Sequence, residues 1–300
     1  MKIRIFALGI MVLLTLGCQE TVKSRQTTVA IEVQGHRGDR GNFPENTIPA
    51  FISAVKKGAD VIELDVVVSK DHQIVVSHEP YMSGTYMLAP NGMPIAAADE
   101  KSYNLYVMMY DSIKRFDAGS KGNASFPQQQ KLKAYKPLLS EVIDSVEQYV
   151  AKHNTKPVRY NIEIKSAKEE YGLSQPQPEV FTALVMEIIE SKGIKGRSNI
   201  QSFDPLILNI VHKKHPEVKT AFLTDKPGID KNLALLTFTP DIYSPHYKLV
   251  NPKFLDSAAE RKMRVIPWTV NDPKDIDRMI KLRVAGIITD YPERVIHKIH

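Results

Sequence analysis

The sequence has little of several features that define particular classes of protein. Cys18 is the only cysteine among the 300 residues, so the chain cannot form an intramolecular disulfide framework. Lysine and arginine are scattered without a basic block, and for that reason we expect no nucleic-acid partner. The net charge of +6 is compatible instead with small anionic ligands. Internal repeats and low-complexity segments are also missing, which favours one closed architecture.

The longest mostly apolar run lies at the N-terminus. Ile5–Gly17 spans thirteen residues, follows a basic start and is too short to cross a bilayer comfortably. These features predict a secretory signal peptide over residues 1–18; a buried helix is the alternative. Leu14–Cys18 resembles a bacterial lipoprotein signal, although Thr15 stands where leucine is more usual. We therefore expect export to the bacterial periplasm or outer envelope, with a lipid anchor at Cys18 that tethers the protein to a membrane.

After a polar tether at residues 19–30, the pattern is that of one domain, residues 31–300. Short β-branched runs alternate with helical patterns, which is typical of βαβ units and a parallel sheet. Eight parallel strands are predicted near 31–36, 61–66, 159–164, 198–202, 219–223, 241–244, 264–268 and 285–289. Helices are predicted near 46–57, 138–153, 178–192, 204–214, 228–236, 251–262, 272–282 and 292–299, with capping side chains at Asn46, Asp204, Asn251 and Asp272. The length is close to the ~250 residues typical of a (β/α)8 TIM barrel, which we predict as the fold.

A short β-branched segment, residues 73–78, interrupts this alternation after the second strand. The turn at Lys70 and Asp71 is too short for a parallel crossover, so the segment is predicted to pair antiparallel with that strand. If residue 69 pairs with residue 72, His78 lies opposite Glu63. Because opposed residues share a face, the hairpin would bring His78 to the same side as Glu63 and Asp65.

A second interruption covers about residues 79–136 and is rich in Tyr, Met, Gly, Pro and Gln. It is too long for a simple connection and follows a candidate site residue directly, so we predict a small lid over the barrel mouth that governs substrate choice. A disordered insert is the alternative.

Charged and aromatic side chains lie at or near the carboxyl ends of the predicted strands, where barrels of this class form their active sites. They are His36, Glu63, Asp65, Glu163, Lys165 and Trp268. Three carboxylates without a nearby cysteine favour a hard cation such as Ca²⁺ or Mg²⁺. Each signal also has an ordinary structural interpretation: an ion pair for the charged residues, a structural role for His36 and core packing for Trp268. The buried character of the strand around Glu63 favours a ligand role, because burying unpaired charge is costly.

An ordered set of motifs resembles the glycerophosphodiester phosphodiesterase family. The set runs along residues 34–296 and comprises His36-Arg37-Gly38, Pro44-Glu45-Asn46-Thr47, Glu63-Leu64-Asp65, His78, Glu163-Ile164-Lys165, Gln201-Ser202-Phe203, Trp268 and Thr289-Asp290-Tyr291-Pro292. The resemblance implies that His36 and His78 form an acid–base pair, that Glu63, Asp65 and Glu163 hold the metal, and that Arg37 and Lys165 hold the phosphate, with Trp268 also in the substrate site and Glu45 and Asn46 supporting. Glu79 departs from the family, in which aspartate commonly follows the second histidine.

The resemblance implies metal-dependent hydrolysis of a glycerophosphodiester to glycerol 3-phosphate and an alcohol. The sequence leaves open which histidine is the acid, and whether the nucleophile is water or a glycerol hydroxyl. Two alternatives remain: a phospholipase-type phosphodiesterase that acts on intact lipids, and a lipid-anchored binding protein without catalysis. The presence of both histidines argues against the second, because a binding protein needs no acid–base pair.

Overall fold

The computed structural model describes residues 31–300, and the predicted signal peptide, tether and Cys18 lie outside the described residues. Within this range the TIM-barrel prediction is confirmed. Eight parallel strands form one sheet, in the spatial order 264–265, 242–245, 219–224, 198–202, 159–164, 61–68, 32–35 and 286–289. Backbone hydrogen bonds from Ala285 N to Val265 O (2.9 Å) and from Ile288 N to Pro267 O (3.0 Å) then join the two ends of the sheet. No helix in the described range is long and apolar enough to span a membrane.

The predicted elements agree closely with those observed. The strands are β1 Glu32–Gly35, β2 Val61–Val68, β3 Ile74–Val76, β4 Arg159–Ile164, β5 Ser198–Ser202, β6 Lys219–Thr224, β7 Ile242–Pro245, β8 Arg264–Val265 and β9 Gly286–Thr289. The helices are α1 Ile48–Lys57, α2 Tyr110–Ile113, α3 Leu139–His153, α4 Pro178–Ser191, α5 Pro205–Lys214, α6 Ile229–Leu233, α7 Pro252–Glu260, α8 Pro273–Lys281 and α9 Pro292–Ile299.

Three of the four predicted helix caps are confirmed. Asp204, Asn251 and Asp272 each accept a hydrogen bond from a backbone N–H in the first turn of the following helix. The prediction for Asn46 is wrong. Thr47 caps α1, because Asn46 lies one residue earlier in a left-handed conformation (φ 55°) and directs its amide to Asp65 instead.

Side chains alternate along the strands, so the hydrophobic core and the polar site lie on opposite faces of the sheet. Residues such as Ile62 and Leu64 pack outward against the helices in the main hydrophobic core. Polar side chains occupy the barrel interior: Asn161 Nδ2 donates to Gln34 Oε1 at 2.8 Å and to Gln201 Oε1 at 3.0 Å. Because buried polar groups need partners, these amides hydrogen-bond to one another and form a polar layer in the barrel interior, below the carboxyl ends of the strands.

The hairpin is present, but its predicted register is wrong by one residue. Val66 pairs with Val76 and Val68 with Ile74, so Ser77 comes opposite Asp65, where the predicted register would put Val76. The Ser77 N–H donates to Asp65 O at 3.0 Å. The connection contains a third residue, His72, which has a left-handed backbone (φ 58°) and extends the turn. His78 consequently reaches the site after β3 has ended and not as a cross-strand partner of Glu63.

The long insertion is ordered and has its own small core. It contains two 3₁₀ turns, Glu100–Tyr103 and Leu105–Val107, and helix α2. Its apolar side chains pack on Val67 and Val75 of the hairpin; they include Met82, Tyr86, Met87, Leu105, Tyr110, Ile113 and Phe116. The insertion is therefore anchored on the strands that lead to the site.

Candidate active site

Three buried carboxylates meet at the carboxyl end of the barrel. Glu63, Asp65 and Glu163 each place one oxygen within 4.8 Å of the others. Neighbouring strands bring them together, since Asp65 of β2 lies beside Glu163 of β4 in the parallel ladder. Burial, together with the negative charge of its neighbours, raises the pKa of Glu63 well above its usual value, and burial likewise raises that of Glu163.

The cluster has the chemistry of a cation site. Asp65 Oδ1 is buried and accepts no hydrogen bond, and its ion-pair partner Lys165 Nζ is 3.8 Å away. An orphaned buried carboxylate oxygen is costly, and a metal ion beside it would remove that cost. The three residues supply only oxygen ligands, so they fit a hard divalent cation.

The backbone N–H of Arg37 and two side-chain amides hold these acids in place. Glu63 accepts hydrogen bonds from the backbone N of Arg37 (2.9 Å) and from Gln201 Nε2 (2.6 Å). Asp65 accepts one from Asn46 Nδ2 (2.8 Å). Burial would raise the pKa of Asp65, but the charges of Arg37 and other nearby cations hold it well below its usual range. Gln201 and Asn46 thus act as the supporting residues of the cluster.

The His36-Arg37-Gly38 motif forms a tight turn that directs Arg37 inward. Arg37 and Gly38 both have a left-handed backbone, with φ of 51° and 87°. A Cβ at Gly38 would lie 2.6 Å from the backbone carbon of Ala50, so only glycine fits at that position. The Arg37 guanidinium pairs with Glu45 Oε1 at 2.6 Å and with Asp65 Oδ2 at 3.3 Å. Lys165, the second residue predicted to bind the phosphate, pairs with Glu163 Oε1 at 2.7 Å.

The two predicted acid–base histidines face one small cavity. This cavity has a volume of about 150 Å³ and is also lined by Arg37, Glu63, Glu163, Lys165 and Trp268. His36 Nδ1 lies 2.6 Å from Asp290 Oδ1, and His78 Nδ1 lies 3.0 Å from Glu79 Oε1. Each ring therefore has a carboxylate at Nδ1, which leaves Nε2 free for a ligand.

Sequence reasoning missed the partners of both histidines. Asp290 appeared only as part of a motif, and Glu79 only as a departure from the family pattern. A carboxylate next to each histidine in space is not visible as a spacing along the chain, although the position of Asp290 directly after the eighth strand was a usable signal. Burial lowers the pKa of His36 in spite of the opposing charge of Asp290.

Trp268 and a second cavity define the outer part of the site. Trp268 donates from Nε1 to Ser244 O at 2.9 Å and contacts the Phe203 ring edge-to-face at 5.4 Å. A cavity of about 430 Å³ lies between the insertion and the loop after β4. It shares His78, Glu163 and Lys165 with the smaller cavity and is otherwise lined by residues that include Tyr81, Asn104, Ala167 and Phe203.

Comparison with known proteins supports the motif-based assignment. Residues 36–294 match the model of the glycerophosphoryl diester phosphodiesterase family. The chain is 32% identical to a glycerophosphodiester phosphodiesterase of Caldanaerobacter subterraneus subsp. tengcongensis and 33% identical to one of Bacillus altitudinis; each alignment covers 88% of this chain and 96% of the relative. A crystal structure of a candidate glycerophosphoryl diester phosphodiesterase from Silicibacter pomeroyi superposes with a TM-score of 0.81 at 26% identity, covering 90% of this chain and 93% of the other. With a family match over residues 36–294 and these relatives, the chain belongs to the glycerophosphoryl diester phosphodiesterase family.

Proposed function

We propose that this protein hydrolyses glycerophosphodiesters to glycerol 3-phosphate and a free alcohol with the help of a divalent cation. One observation carries the proposal: His36 and His78, each with a carboxylate at Nδ1, line the same cavity as Glu63 and Glu163. Two oriented imidazoles allow one to accept a proton while the other donates one, which a binding protein does not need.

Each residue of the site has a distinct task in this mechanism. Glu63, Asp65 and Glu163 would hold Ca²⁺ or Mg²⁺, which when bound supplies positive charge beside the phosphoryl oxygens. Arg37 and Lys165 are placed to bind the same oxygens and to stabilise the charge that develops there.

The two histidines carry the proton transfers. One removes the proton from the attacking hydroxyl, whether of water or of the neighbouring glycerol, and the other donates a proton to the departing alcohol. Asp290 and Glu79 keep Nδ1 of each ring occupied, so that Nε2 performs these transfers.

The larger cavity is the place we propose for the leaving alcohol. At about 430 Å³ it exceeds the space beside the acids, and the aromatic rings of Tyr81 and Phe203 lie in its wall. A cavity of this size also favours a second candidate function, cleavage of intact or lysophospholipids, in which the acyl chain stays on the glycerol phosphate product; the cavity would then hold that chain and not the leaving alcohol. Turnover of water-soluble deacylated substrates compared with micellar lipids distinguishes the two functions.

A panel of metals and substrates on the purified protein tests the proposal. Chelated protein should be inactive, and Ca²⁺ or Mg²⁺ should restore release of both glycerol 3-phosphate and the alcohol, each identified chemically. Full activity after thorough chelation would overturn the metal assignment. Absence of phosphodiester cleavage with every metal would overturn the enzymatic proposal and favour the binding-protein alternative.

We also propose that the chain is exported and anchored by a lipid at Cys18. Support comes from the sequence alone: the basic start, the short apolar run and the lone cysteine at its end. Labelling growing cells with a radioactive fatty acid should mark the wild type and not Cys18→Ser. If both proteins remain unlabelled, the signal ends in an ordinary cleavage site.

A further inference from the structure

The insertion contributes a buried lysine whose surroundings are unusual. Lys136 is only 3% exposed, yet among residues 31–300 its ammonium forms no ion pair. Nζ donates instead to two neutral hydroxyls, Ser77 Oγ at 2.7 Å and Tyr86 OH at 3.2 Å. Burying a charge without a directly paired carboxylate is costly, so the groups that the two hydroxyls contact in turn decide how this ammonium is stabilised.

Both hydroxyls donate hydrogen bonds to one residue, Glu79. An ammonium group can only donate, so each hydroxyl uses an oxygen lone pair on Lys136 and has its own hydrogen free. Ser77 Oγ donates that hydrogen to the backbone O of Glu79 at 2.5 Å, and Tyr86 OH donates to Glu79 Oε2 at 2.9 Å. Lys136 thereby fixes Glu79 at both its main chain and its side chain.

The direction of these hydrogen bonds determines the state of the His78 ring. The remaining carboxylate oxygen, Glu79 Oε1, lies 3.0 Å from His78 Nδ1. An ionised carboxylate only accepts, so the hydrogen in this contact is on Nδ1, and Nε2 of the neutral ring has a free lone pair. Although burial raises the pKa of Glu79, the hydrogen bond from His78 and the charge of Lys136 lower it by more, which keeps Glu79 ionised.

We propose that Lys136 is a positioning residue of the phosphodiesterase site: through Ser77, Tyr86 and Glu79 it holds His78 with the proton on Nδ1 and Nε2 free for the cavity. The inference rests on the proposed function for its catalytic consequence. It gives the insertion a part in orienting His78, in addition to the part in substrate choice that its place over the mouth predicts. Each histidine is thus contacted by one carboxylate, but the carboxylate at His78 is itself held by a lysine of the insertion through two hydroxyls.

Nuclear magnetic resonance tests the arrangement without relying on activity. The Mg²⁺-loaded full-domain protein is labelled with ¹⁵N-histidine and studied at a pH high enough for the imidazoles to be neutral; His78→Ala identifies the signals of His78. In the wild type, the shifts should show a hydrogen on Nδ1. Lys136→Met, which keeps the volume and removes the donor, should move both nitrogens of His78 toward the values of a tautomer mixture. Lys133→Met, three residues earlier and exposed, should leave them unchanged.

Steady-state kinetics of the same variants test the catalytic consequence of the proposal. Lys136→Met should lower kcat by about 10- to 100-fold with little change in KM, by analogy with the partners that orient metal-ligating histidines, whose loss has effects of that size. If Lys136→Met fails to fold, Tyr86→Phe keeps the lysine and removes only the donor to Glu79 Oε2, with the same expected shifts. A hydrogen on Nε2 in the wild type, or unchanged His78 shifts in a folded variant, would overturn the inference. Expected shifts in a wild type that cleaves no phosphodiester would instead overturn only the proposed function.

Discussion

Asp290 Oδ1 lies 2.6 Å from His36 Nδ1, although the two residues are 254 positions apart in the chain. Closure of the barrel makes this contact: β1 pairs with β9, and Gly35 lies beside Thr289, so the next residue of each strand emerges at the same point of the rim. Asn271 Nδ2 donates to the other oxygen of Asp290 at 2.6 Å and fixes the carboxylate. His36 is therefore oriented by the strand that completes the barrel.

Replacing Asp290 by asparagine should disable His36 without unfolding the protein. The amide can donate to Nδ1, which would favour the tautomer with hydrogen on Nε2, and it no longer stabilises the imidazolium that forms whether His36 is the base or the acid. We expect kcat to fall by ~10²–10⁴-fold with little change in KM, as in hydrolases whose orienting aspartate is replaced. Steady-state kinetics on glycerophosphodiesters measures this, and Asp256→Asn, on an exposed helix position, is the control. Wild-type kcat in Asp290→Asn would show that His36 needs no orienting carboxylate.

Most of the fold followed from local patterns in the sequence. Strand and helix positions could be predicted because buried parallel strands are short β-branched runs and because proline and capping residues mark where helices begin. The hairpin register could not, since it depends on whether a turn has two or three residues. The left-handed backbone of His72 adds the third; histidine adopts this conformation more often than most residues, but only a small fraction of histidines do so, and the sequence does not show which.

The candidate site was predictable where its residues lie in motifs and not where they meet only in space. Glu63, Asp65 and Glu163 occur within short motifs on strands, so their convergence followed from the barrel topology. The partners of the histidines depend on contacts between distant segments. Lys136 is the extreme case, because nothing in its local sequence distinguishes a buried positioning lysine from a solvated one.

Metal binding should stabilise the protein more strongly as the pH rises. Burial and neighbouring acids raise the pKa of Glu63, and burial raises that of Glu163, above their unfolded value of 4.5. The metal-free folded state therefore binds more protons than the unfolded state. Its stability decreases as the pH rises from the unfolded-state pKa of these glutamates to their higher folded-state pKa. A bound cation needs the deprotonated forms. We expect the difference in Tm between Mg²⁺-loaded and chelated protein to widen from acidic to neutral pH.

Thermal unfolding with and without chelator across this pH range measures the effect. Asp65→Asn should remove most of the metal-induced rise in Tm. Glu217→Gln, in the exposed cluster with Glu190 and His215, should retain it. Identical Tm values with and without Mg²⁺ or Ca²⁺ at neutral pH would contradict a metal site at the three buried acids.

Filling the larger cavity should change the choice of leaving alcohol. Ala167 is exposed, lines this cavity after β4 and is not one of the predicted metal ligands. Ala167→Phe should raise KM for substrates with bulky alcohols and leave metal affinity unchanged, because the ring would occupy the proposed alcohol site. Competition between glycerophosphodiesters of different size measures the preference. Ala151→Phe, at an exposed position of α3, is the matched control, and an equal effect on small and large alcohols would place the leaving group elsewhere.

The roles of His36 and His78 can be separated by the acidity of the leaving group. His36→Ala and His78→Ala should each lower kcat on glycerophosphodiesters by ~10²-fold or more, since each removes a group that transfers a proton. A nitrophenyl phosphodiester departs without needing a proton, so it should be spared in the variant that lost the acid and remain slow in the variant that lost the base. Both variants are assayed side by side on both substrates, and the Mg²⁺-induced rise in Tm checks that the metal site is intact. Wild-type turnover of glycerophosphodiesters by His78→Ala would remove His78 from the mechanism, and with it the catalytic importance of the chain from Lys136 through Glu79.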